Sequence, residues 1–242
     1  MQYDNGRIFK KEFGGIKVMI YSGHQLSFFP WLGYWKKISN SDFFDVNIYD
    51  QFTKRTWIHY TYIGNREKLV KWKLPVEKYY IKHSQFFPIK EIRVKKGFAK
   101  DLLSQFYDIH HRDKYFEYIF PLLNDWLYSV ENLENLWLIN LILMEKIYNL
   151  LQISSKLIIL PNFDLNDDAT MKIVKQTLAM NCDTYLSGPH GREYLNMSIF
   201  NEKGVKVRFQ DTQKLYDLYP QSILSMISEF GIVKVLEILK SK

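Results

Sequence analysis

The chain has a single cysteine and no long apolar run, and both absences exclude classes of protein. Because Cys182 stands alone among 242 residues, an internal disulfide and a zinc site built from several thiolates are excluded. The longest apolar stretch, residues 136–144, is interrupted by Asn140 and falls well short of the roughly 20 apolar residues that a membrane span needs. The early apolar segment contains Lys17 and leads into aromatic residues, which argues against a signal peptide. We therefore expect a cytoplasmic protein.

Positive charge is in excess but is not concentrated. The net charge of +7 favours anionic ligands, whether polyanions or phosphorylated small molecules. The basic residues occur in scattered pairs such as Lys36/Lys37 and Lys71/Lys73, with no run of five or six, so most are expected on a solvated surface. The aromatic content of 17% suits base stacking, but many rings lie in apolar, strand-like runs. Core packing is the expected use of most rings.

No repeat, low-complexity segment or linker divides the chain. Residues 1–18 are expected to form a peripheral extension, and residues 19–242 a single α/β domain. Patterns typical of strands cover residues 17–21, 43–49, 54–63, 70–76, 89–94, 156–160, 184–187 and 205–209. Helical spacing covers residues 98–109, 133–151, 168–180, where Asp167 or Asp168 can cap the start, and 232–239. The prediction is a mixed sheet with flanking helices, its topology open.

The segment of residues 24–35 is the most unusual one. His24 and Gln25 follow the first predicted strand, and sites in α/β proteins commonly form at strand ends. The imidazole can transfer protons near neutral pH, and Gln25 can orient a carbonyl or hydroxyl group. Pro30 can open the short helix that follows. The alternative is that His24 only satisfies a nearby turn.

Residues 50–57 concentrate a carboxylate and two cations between two predicted strands. Lys54 and Arg55 can bind a phosphate, Arg55 through its planar fork. A charged hairpin is the alternative, because neighbours in an extended chain point to opposite faces unless a turn or bulge intervenes. We expect that one pocket brings together the side chains of His24, Gln25, Asp50, Lys54 and Arg55.

Residues 185–191 run from a predicted strand into a turn that contains glycine. Such a turn can present backbone N–H groups to an anion, which makes Ser187 and Gly188 candidate ligand contacts. The segment matches neither a P-loop, a dinucleotide fingerprint nor a nucleophile elbow. A purely structural turn is the alternative.

The remaining reactive residue types give weaker signals. Cys182 lies between a helical and a strand-like stretch, which favours a small buried side chain over a nucleophile. His110 and His111 are adjacent and should diverge at a helix end, whereas zinc usually recruits residues three or four apart. We predict no metal site, and the sequence identifies no cofactor.

The three segments, in this order, resemble blocks of the WbqC-like family over roughly residues 19–210. The second, Gln51 to Trp57, is similar to the family's Gln-Phe-x-Lys-Arg block, and residues 185–195 are similar to its C-terminal block. Departures are Leu26 for the usual proline, Tyr49-Asp50 for an acidic pair and residues 60–62 for an Arg-Asn-Arg-like stretch. The first block reads His24-Gln25-Leu26-Ser27-Phe28-Phe29-Pro30-Trp31-Leu32-Gly33-Tyr34.

The resemblance implies an enzyme of surface-polysaccharide sugar biosynthesis, for O-antigen or capsule. We predict an acyl- or aminoacyl-transferase acting on a nucleotide-linked amino sugar with an activated acyl donor. Altered specificity or lost activity is expected if the departures remove substrate contacts. The predicted catalytic residues are His24 and Asp50, and the predicted substrate-binding residues are Gln25, Trp31, Gln51, Lys54, Arg55, Ser187 and Gly188.

The rival prediction is a basic nucleic-acid-binding protein without catalytic activity. It draws on the pI of about 9.2 and on the abundant aromatic residues. A dedicated binder should collect its cations on one face and expose rings beside them. Because the cations here are scattered along the chain, the sugar enzyme ranks first.

Overall fold

The computed structural model of the chain describes residues 18–83, 87–161 and 167–241. Of the predicted peripheral extension, all but Val18 lies outside the described residues. The strands are β1 (Ile20–Gln25), β2 (Phe43–Asn47), β3 (Tyr60–Gly64), β4 (Leu69–Lys73), β5 (Lys156–Ile158), β6 (Thr184–Ser187) and β7 (Lys206–Phe209). The helices are α1 (Leu32–Ser39), α2 (Lys78–Lys82), α3 (Ala99–His110), α4 (Phe116–Val130), α5 (Leu136–Leu150), α6 (Ala169–Ala179), α7 (Met197–Glu202), α8 (Gln213–Leu218) and α9 (Ile223–Lys240).

Five strands form one parallel sheet in the order β5-β2-β1-β6-β7. The chain moves outward from β1 to β2 and later β5, then returns across the sheet to β6 and β7. The strand order therefore reverses between β1 and β6, the point where ligand sites form in open α/β sheets. β3 and β4 pair separately as an antiparallel hairpin. The predicted α/β class with helices flanking a sheet is confirmed, and the topology is now defined.

Hydrophobic side chains cover both faces of the sheet. Neighbouring residues of β2 point to opposite faces, as the pleat requires. Phe43 packs in a cluster with Val174 of α6 and Phe200 of α7, whereas Phe44 packs in a larger cluster with Trp35 of α1. The core use of many rings is confirmed, because the fully buried side chains include Trp35, Trp72, Phe44, Phe52, Phe106 and Phe200.

Several predicted elements are confirmed and others are wrong. β6 has its predicted bounds, and the carboxylate of Asp168 caps α6 by accepting the Met171 N–H at 2.8 Å. The strand predicted at residues 54–63 begins only at Tyr60, and residues 89–94 form a short 3-10 turn and isolated bridges instead of a strand. Branched and aromatic residues therefore also occur in turns that tertiary packing buries.

The ends of two elements near residue 30 also differ from the prediction. The first strand extends to Gln25, so His24 and Gln25 are its last two residues and do not follow it. Pro30 lies outside α1, where Trp31 occupies the N-cap position. α4 has no counterpart among the predicted elements, and it contains Pro121, a residue type that is unfavourable inside a helix. None of the helices in the described residues combines the length and the apolar character needed to cross a membrane.

A buried hydrogen-bonded cluster connects α3, α9 and β3. Nδ1 of His110 lies 2.7 Å from the Asp113 carboxylate, and Nε2 lies 2.9 Å from the Ser225 hydroxyl. Since the carboxylate only accepts, Nδ1 carries the proton and Ser225 donates to Nε2. Ser225 also accepts the Gly64 N–H at 3.2 Å. Burial lowers the pKa of His110, against the opposing effect of the Asp113 carboxylate, and so favours the neutral ring.

This cluster has the hydrogen-bond order of a Ser-His-Asp triad, but its serine cannot meet a substrate. Ser225 is fully buried within α9, and His110 is almost as inaccessible. A nucleophile needs an open face beside its hydroxyl for the reacting carbonyl. The cluster therefore holds three elements together and is not a catalytic centre.

We predict that Ser225→Ala lowers the free energy of unfolding by about 1–3 kcal/mol, because Nε2 of His110 and the Gly64 N–H both lose their buried partner. Urea unfolding measures the change. Ser228→Ala is the matched control, since Ser228 is equally buried on the same helix and its hydroxyl has no partner among the described residues. Equal costs for the two variants would contradict this account.

Candidate functional site

β1 and β6 pair only at their first residues and then separate. Ile20 pairs with Thr184 and Tyr21 with Tyr185, whereas β1 stays paired with β2 as far as Gln25. Beyond Tyr21 a crevice therefore opens where the strand order reverses. A cavity of about 1110 Å³ fills this crevice, a size that suits a small-molecule ligand. Its walls come from β1, β2, β6, α1, α6, α8 and the loop between β2 and β3.

His24 is exposed to the cavity at the end of β1. Its Nδ1 lies 3.0 Å from the backbone carbonyl of Gln25, and its ring packs edge-on against Tyr34 at 5.0 Å between centroids. Because a carbonyl only accepts, Nδ1 carries the proton and Nε2 keeps a free lone pair. Desolvation by the surrounding protein, together with the nearby Lys37 ammonium, lowers the pKa of His24 to about 4. The ring is therefore neutral at pH 7.

A hydrogen-bond network fixes the side chain of Gln25. Its Nε2 donates to Asp50 at 3.1 Å, and the second Asp50 oxygen accepts from Asn47 at 2.8 Å. Asn47 in turn accepts the backbone N–H groups of Tyr49 and Asp50. Since Asp50 can only accept, the amide oxygen of Gln25 remains the group available to a ligand.

Lys37 is a buried cation that reaches the cavity from α1. Only 5% of the residue is exposed, and its ammonium donates to the backbone carbonyl of Gly23 at 2.8 Å. The ammonium also lies 5.8 Å from the centre of the Tyr185 ring. Desolvation lowers the pKa of Lys37 to about 8, so most of the side chain is still charged at neutral pH.

Asp45 lies on β2 opposite Gly23 and lines the same cavity. Its oxygens accept the Tyr21 hydroxyl at 3.2 Å and the Leu160 N–H at 2.9 Å. Burial is the main cause that raises the pKa of Asp45 to about 6, against these hydrogen bonds. Asp45 is therefore mostly ionised at pH 7, and a fall of about one pH unit protonates half of it.

Three aromatic side chains form one wall of the cavity mouth. Trp31 meets Tyr216 of α8 edge-on at 5.3 Å, and Trp57 lies 6.3 Å from Trp31 and 6.5 Å from Tyr216 between ring centroids. The Trp31 ring covers Gly33, where an added Cβ would approach the ring to 2.2 Å. Only glycine at position 33 allows the Trp31 ring this position.

Two further cations, besides Lys37, lie at the wall of the cavity. Arg55 stands in the loop before β3, and Lys172 projects from the first turn of α6. Neither side chain forms an ion pair within the part of the chain that the structure describes. Both can therefore meet an anionic ligand without breaking an existing pair.

The turn after β6 brings backbone and side chains to the wall of the cavity. Gly188 lines the cavity, whereas Ser187 lies just beneath the surface and is 1% exposed. A Cβ at Gly191 would come within 2.0 Å of the Ser187 hydroxyl oxygen, so glycine is needed there for close packing. The Gly191 N–H is used within the turn, where it donates to the Gly188 carbonyl.

Most of the predicted site residues lie around this cavity, and three do not. Gln51 is exposed and pairs with Pro88 in an isolated bridge. Lys54 is exposed in a turn beside Arg55 and does not line the cavity, so the joint phosphate site of Lys54 and Arg55 stays a prediction. The third residue, Ser187, is buried and does not line the cavity. The predicted residues that line the cavity are His24, Gln25, Trp31, Asp50, Arg55 and Gly188.

The sequence patterns missed several side chains that line the cavity. Lys37 looks like half of a surface pair with Lys36, and Asp45 lies in a strand-like run that suggests only core packing. Trp57 stands within the second block but was not among the predicted contacts. Tyr216 comes from α8, whose short length gives no clear periodicity. The usable signals were the strand-end position of His24 and Gln25, the charged segment with Asp50 and Arg55, and the glycine-containing turn at Gly188.

Cys182, His110 and His111 do not line this cavity. Cys182 is buried in the cluster of α6 and α7, as predicted, and burial raises its pKa to about 12. His110 and His111 diverge at the end of α3, with His111 stacked on Tyr107. Among the described residues, no three side chains of the His, Cys, Asp and Glu types come together as a metal ion would require.

We predict that Gly33→Ala and Trp31→Ala are energetically coupled. Alanine favours a helix over glycine by about 1 kcal/mol, but at position 33 it must displace the Trp31 ring. In a double-mutant cycle followed by urea unfolding, Gly33→Ala should be more favourable in the Trp31→Ala background, by about 0.5–3 kcal/mol. The same effect in both backgrounds would show that the ring does not depend on Gly33.

Comparison with known proteins identifies the family. The chain is 29% identical over 203 residues to "Uncharacterized protein Rv1507c" of Mycobacterium tuberculosis, which covers 81% of each chain. No solved structure matches. The model of the WbqC-like protein family matches residues 25–238, which include β1's last residue and almost all elements after it. The chain therefore belongs to the WbqC-like protein family.

Proposed function

We propose that the chain is a cytoplasmic enzyme of surface-polysaccharide sugar biosynthesis that transfers an acyl or aminoacyl group to a nucleotide-linked amino sugar. The observation that carries the proposal is the combination, in one cavity, of a neutral imidazole, cationic side chains and paired aromatic rings. These three features suit an amino group, a phosphate and a nucleobase respectively.

The cavity mouth supports binding of the nucleotide. Trp31, Trp57 and Tyr216 offer ring surfaces for a base, and such stacking contributes about 1–3 kcal/mol per base. Arg55 lies two residues before Trp57 and offers a planar fork to a phosphate. Because Lys54 does not line the cavity, we assign the phosphate to Arg55 and not to Lys54.

The neutral ring of His24 supports a role as general base. As the amine attacks the acyl carbon, a C–N bond forms and the bond to the leaving group breaks. The proton released by the amine passes to Nε2 of His24 and then to the leaving group. With a pKa of about 4, His24 alone is a weak base. In this proposal a bound phosphate group raises the pKa of His24, because its negative charge favours the imidazolium.

Asp50 acts in this proposal as a positioning residue. Its carboxylate holds the amide of Gln25 at 3.1 Å, which turns the Gln25 oxygen toward the cavity as an acceptor. That oxygen can accept a hydrogen bond from an N–H of the attacking amine. The lone pair of the amine nitrogen then faces the acyl carbon. Restricting the amine in this way lowers the entropy cost of the reaction.

We predict that the protein converts nucleotide-linked amino sugars and activated acyl donors to a sugar heavier by the acyl group, as measured by mass spectrometry. His24→Ala should lower turnover by about 10²–10⁴-fold, the contribution of a positioned general base. His111→Ala is the matched control, because His111 is an exposed imidazole outside the cavity and should leave turnover unchanged.

Two results would contradict the proposal. A complete panel that gives no product with the wild-type protein would argue against acyl transfer. Unchanged turnover in His24→Ala would remove the imidazole from the mechanism even if product forms.

A further inference from the structure

The ammonium of Lys37 occupies the crevice between β1 and β6. α1 packs beside the sheet, and the Lys37 side chain extends from it to the Gly23 carbonyl on β1 and the Tyr185 ring on β6. Because β6 pairs with β1 only as far as Tyr21, no strand partner serves that carbonyl from the β6 side. Lys37 thus satisfies a backbone group that the separation of the strands leaves free.

Lys37 has no counter-charge among the described residues. No carboxylate lies within 4.0 Å of its ammonium in that part of the chain. The two carboxylates that line the cavity are otherwise engaged, since Asp45 accepts from Tyr21 and Leu160, and Asp50 accepts from Gln25 and Asn47. A buried cation without an anion is costly, and one donor bond leaves two of its three N–H groups without a described acceptor.

Gly23 leaves room for a ligand group beside this ammonium. An added Cβ would lie 3.4 Å from the side chain and carbonyl of Asp45 and from the Tyr21 hydroxyl. These are ordinary contact distances, so the glycine is not required by packing. The space above it belongs to the cavity, which Gly23 and Lys37 both line.

We propose that Lys37 binds an anionic group of the ligand, a carboxylate or a phosphate. This group lies next to Gly23, between β1 and β6. The ligand then has a negative charge at its buried end, in addition to any phosphate held near Arg55 at the mouth. The inference requires only that the cavity binds a ligand, so it can hold even if acyl transfer does not.

The charge of Lys37 makes this binding dependent on pH. The ammonium is charged below a pKa of about 8 and loses its charge above it, so anion binding weakens as the pH rises. Other titratable groups around the crevice behave differently: His24 is neutral and Asp45 ionised above pH 7, and burial raises the pKa values of Tyr21, Tyr34 and Tyr185. The alkaline loss therefore reports on Lys37.

The test is to titrate the protein with inorganic phosphate, pyrophosphate or acetate and to measure the melting temperature at each concentration, at constant ionic strength. The wild-type protein should be stabilised by at least one anion, and the preferred one tells phosphate from carboxylate. Lys37→Met should weaken binding more than tenfold. Lys36→Met is the matched control, because the neighbouring lysine bonds to Ser241 away from the cavity and should bind within about twofold of wild type.

Two further arms separate binding from a structural role of Lys37. Wild-type affinity should fall more than tenfold between pH 7 and pH 9.5, whereas Lys37→Arg, which stays charged, should lose less than about twofold. Gly23→Ala should fold normally and bind more weakly, because its methyl group enters the anion's space. Equal affinity in wild type and Lys37→Met, or the same alkaline loss in Lys37→Arg, would overturn the proposal.

Discussion

The early separation of β1 from β6 is the constraint on which the rest of the candidate site depends. Two parallel strands that pair at Tyr21 and Tyr185 and then diverge leave backbone carbonyls without ladder partners. Buried carbonyls need donors, and in this chain side chains supply them. Lys37 donates to Gly23, and the hydroxyls of Tyr34 and Ser27 donate to Gln25.

The polar side chains that satisfy this opened edge are also the ones that line the cavity. The Gln25 carbonyl accepts from three groups, including Nδ1 of His24, and this contact fixes the tautomer of the ring. The free lone pair of Nε2 is thus a consequence of backbone hydrogen bonding at a strand end. Structural and chemical roles coincide here, so substitutions at His24 and Lys37 must be judged by binding and pH dependence as well as by stability.

Sequence patterns predicted the parts of the fold where one physical signal dominates. Residues 184–187 form a short strand-like run between turns, and the α6 region combines helical spacing with an N-cap aspartate, so the bounds of both elements were predicted closely. Residues 54–59 look equally strand-like but form turns, because burial of Phe52 and Ile58 is achieved without strand pairing. Local propensity cannot register such tertiary packing.

The candidate site was predictable only where it lies at a strand end within a recognisable block. His24 and Gln25 belong to the first block and Asp50 directly precedes the second, whereas Lys37 is indistinguishable in sequence from its neighbour Lys36. One residue of helix rotation separates Lys37, a residue only 5% exposed whose ammonium lies in the crevice, from Lys36, which contacts Ser241 at the surface. That difference depends on how α1 packs on the sheet, which a single sequence does not specify.

The measurement that tests the central claim most directly compares nucleotide-linked amino sugars with oligonucleotides as ligands of the same protein. If the crevice is the functional site, the sugars raise the melting temperature by selective binding to the folded state. Oligonucleotide binding should be weak and fall steeply between about 50 and 200 mM salt, as counterion release requires. Tight, salt-resistant oligonucleotide binding with no sugar-dependent rise in melting temperature would contradict the account.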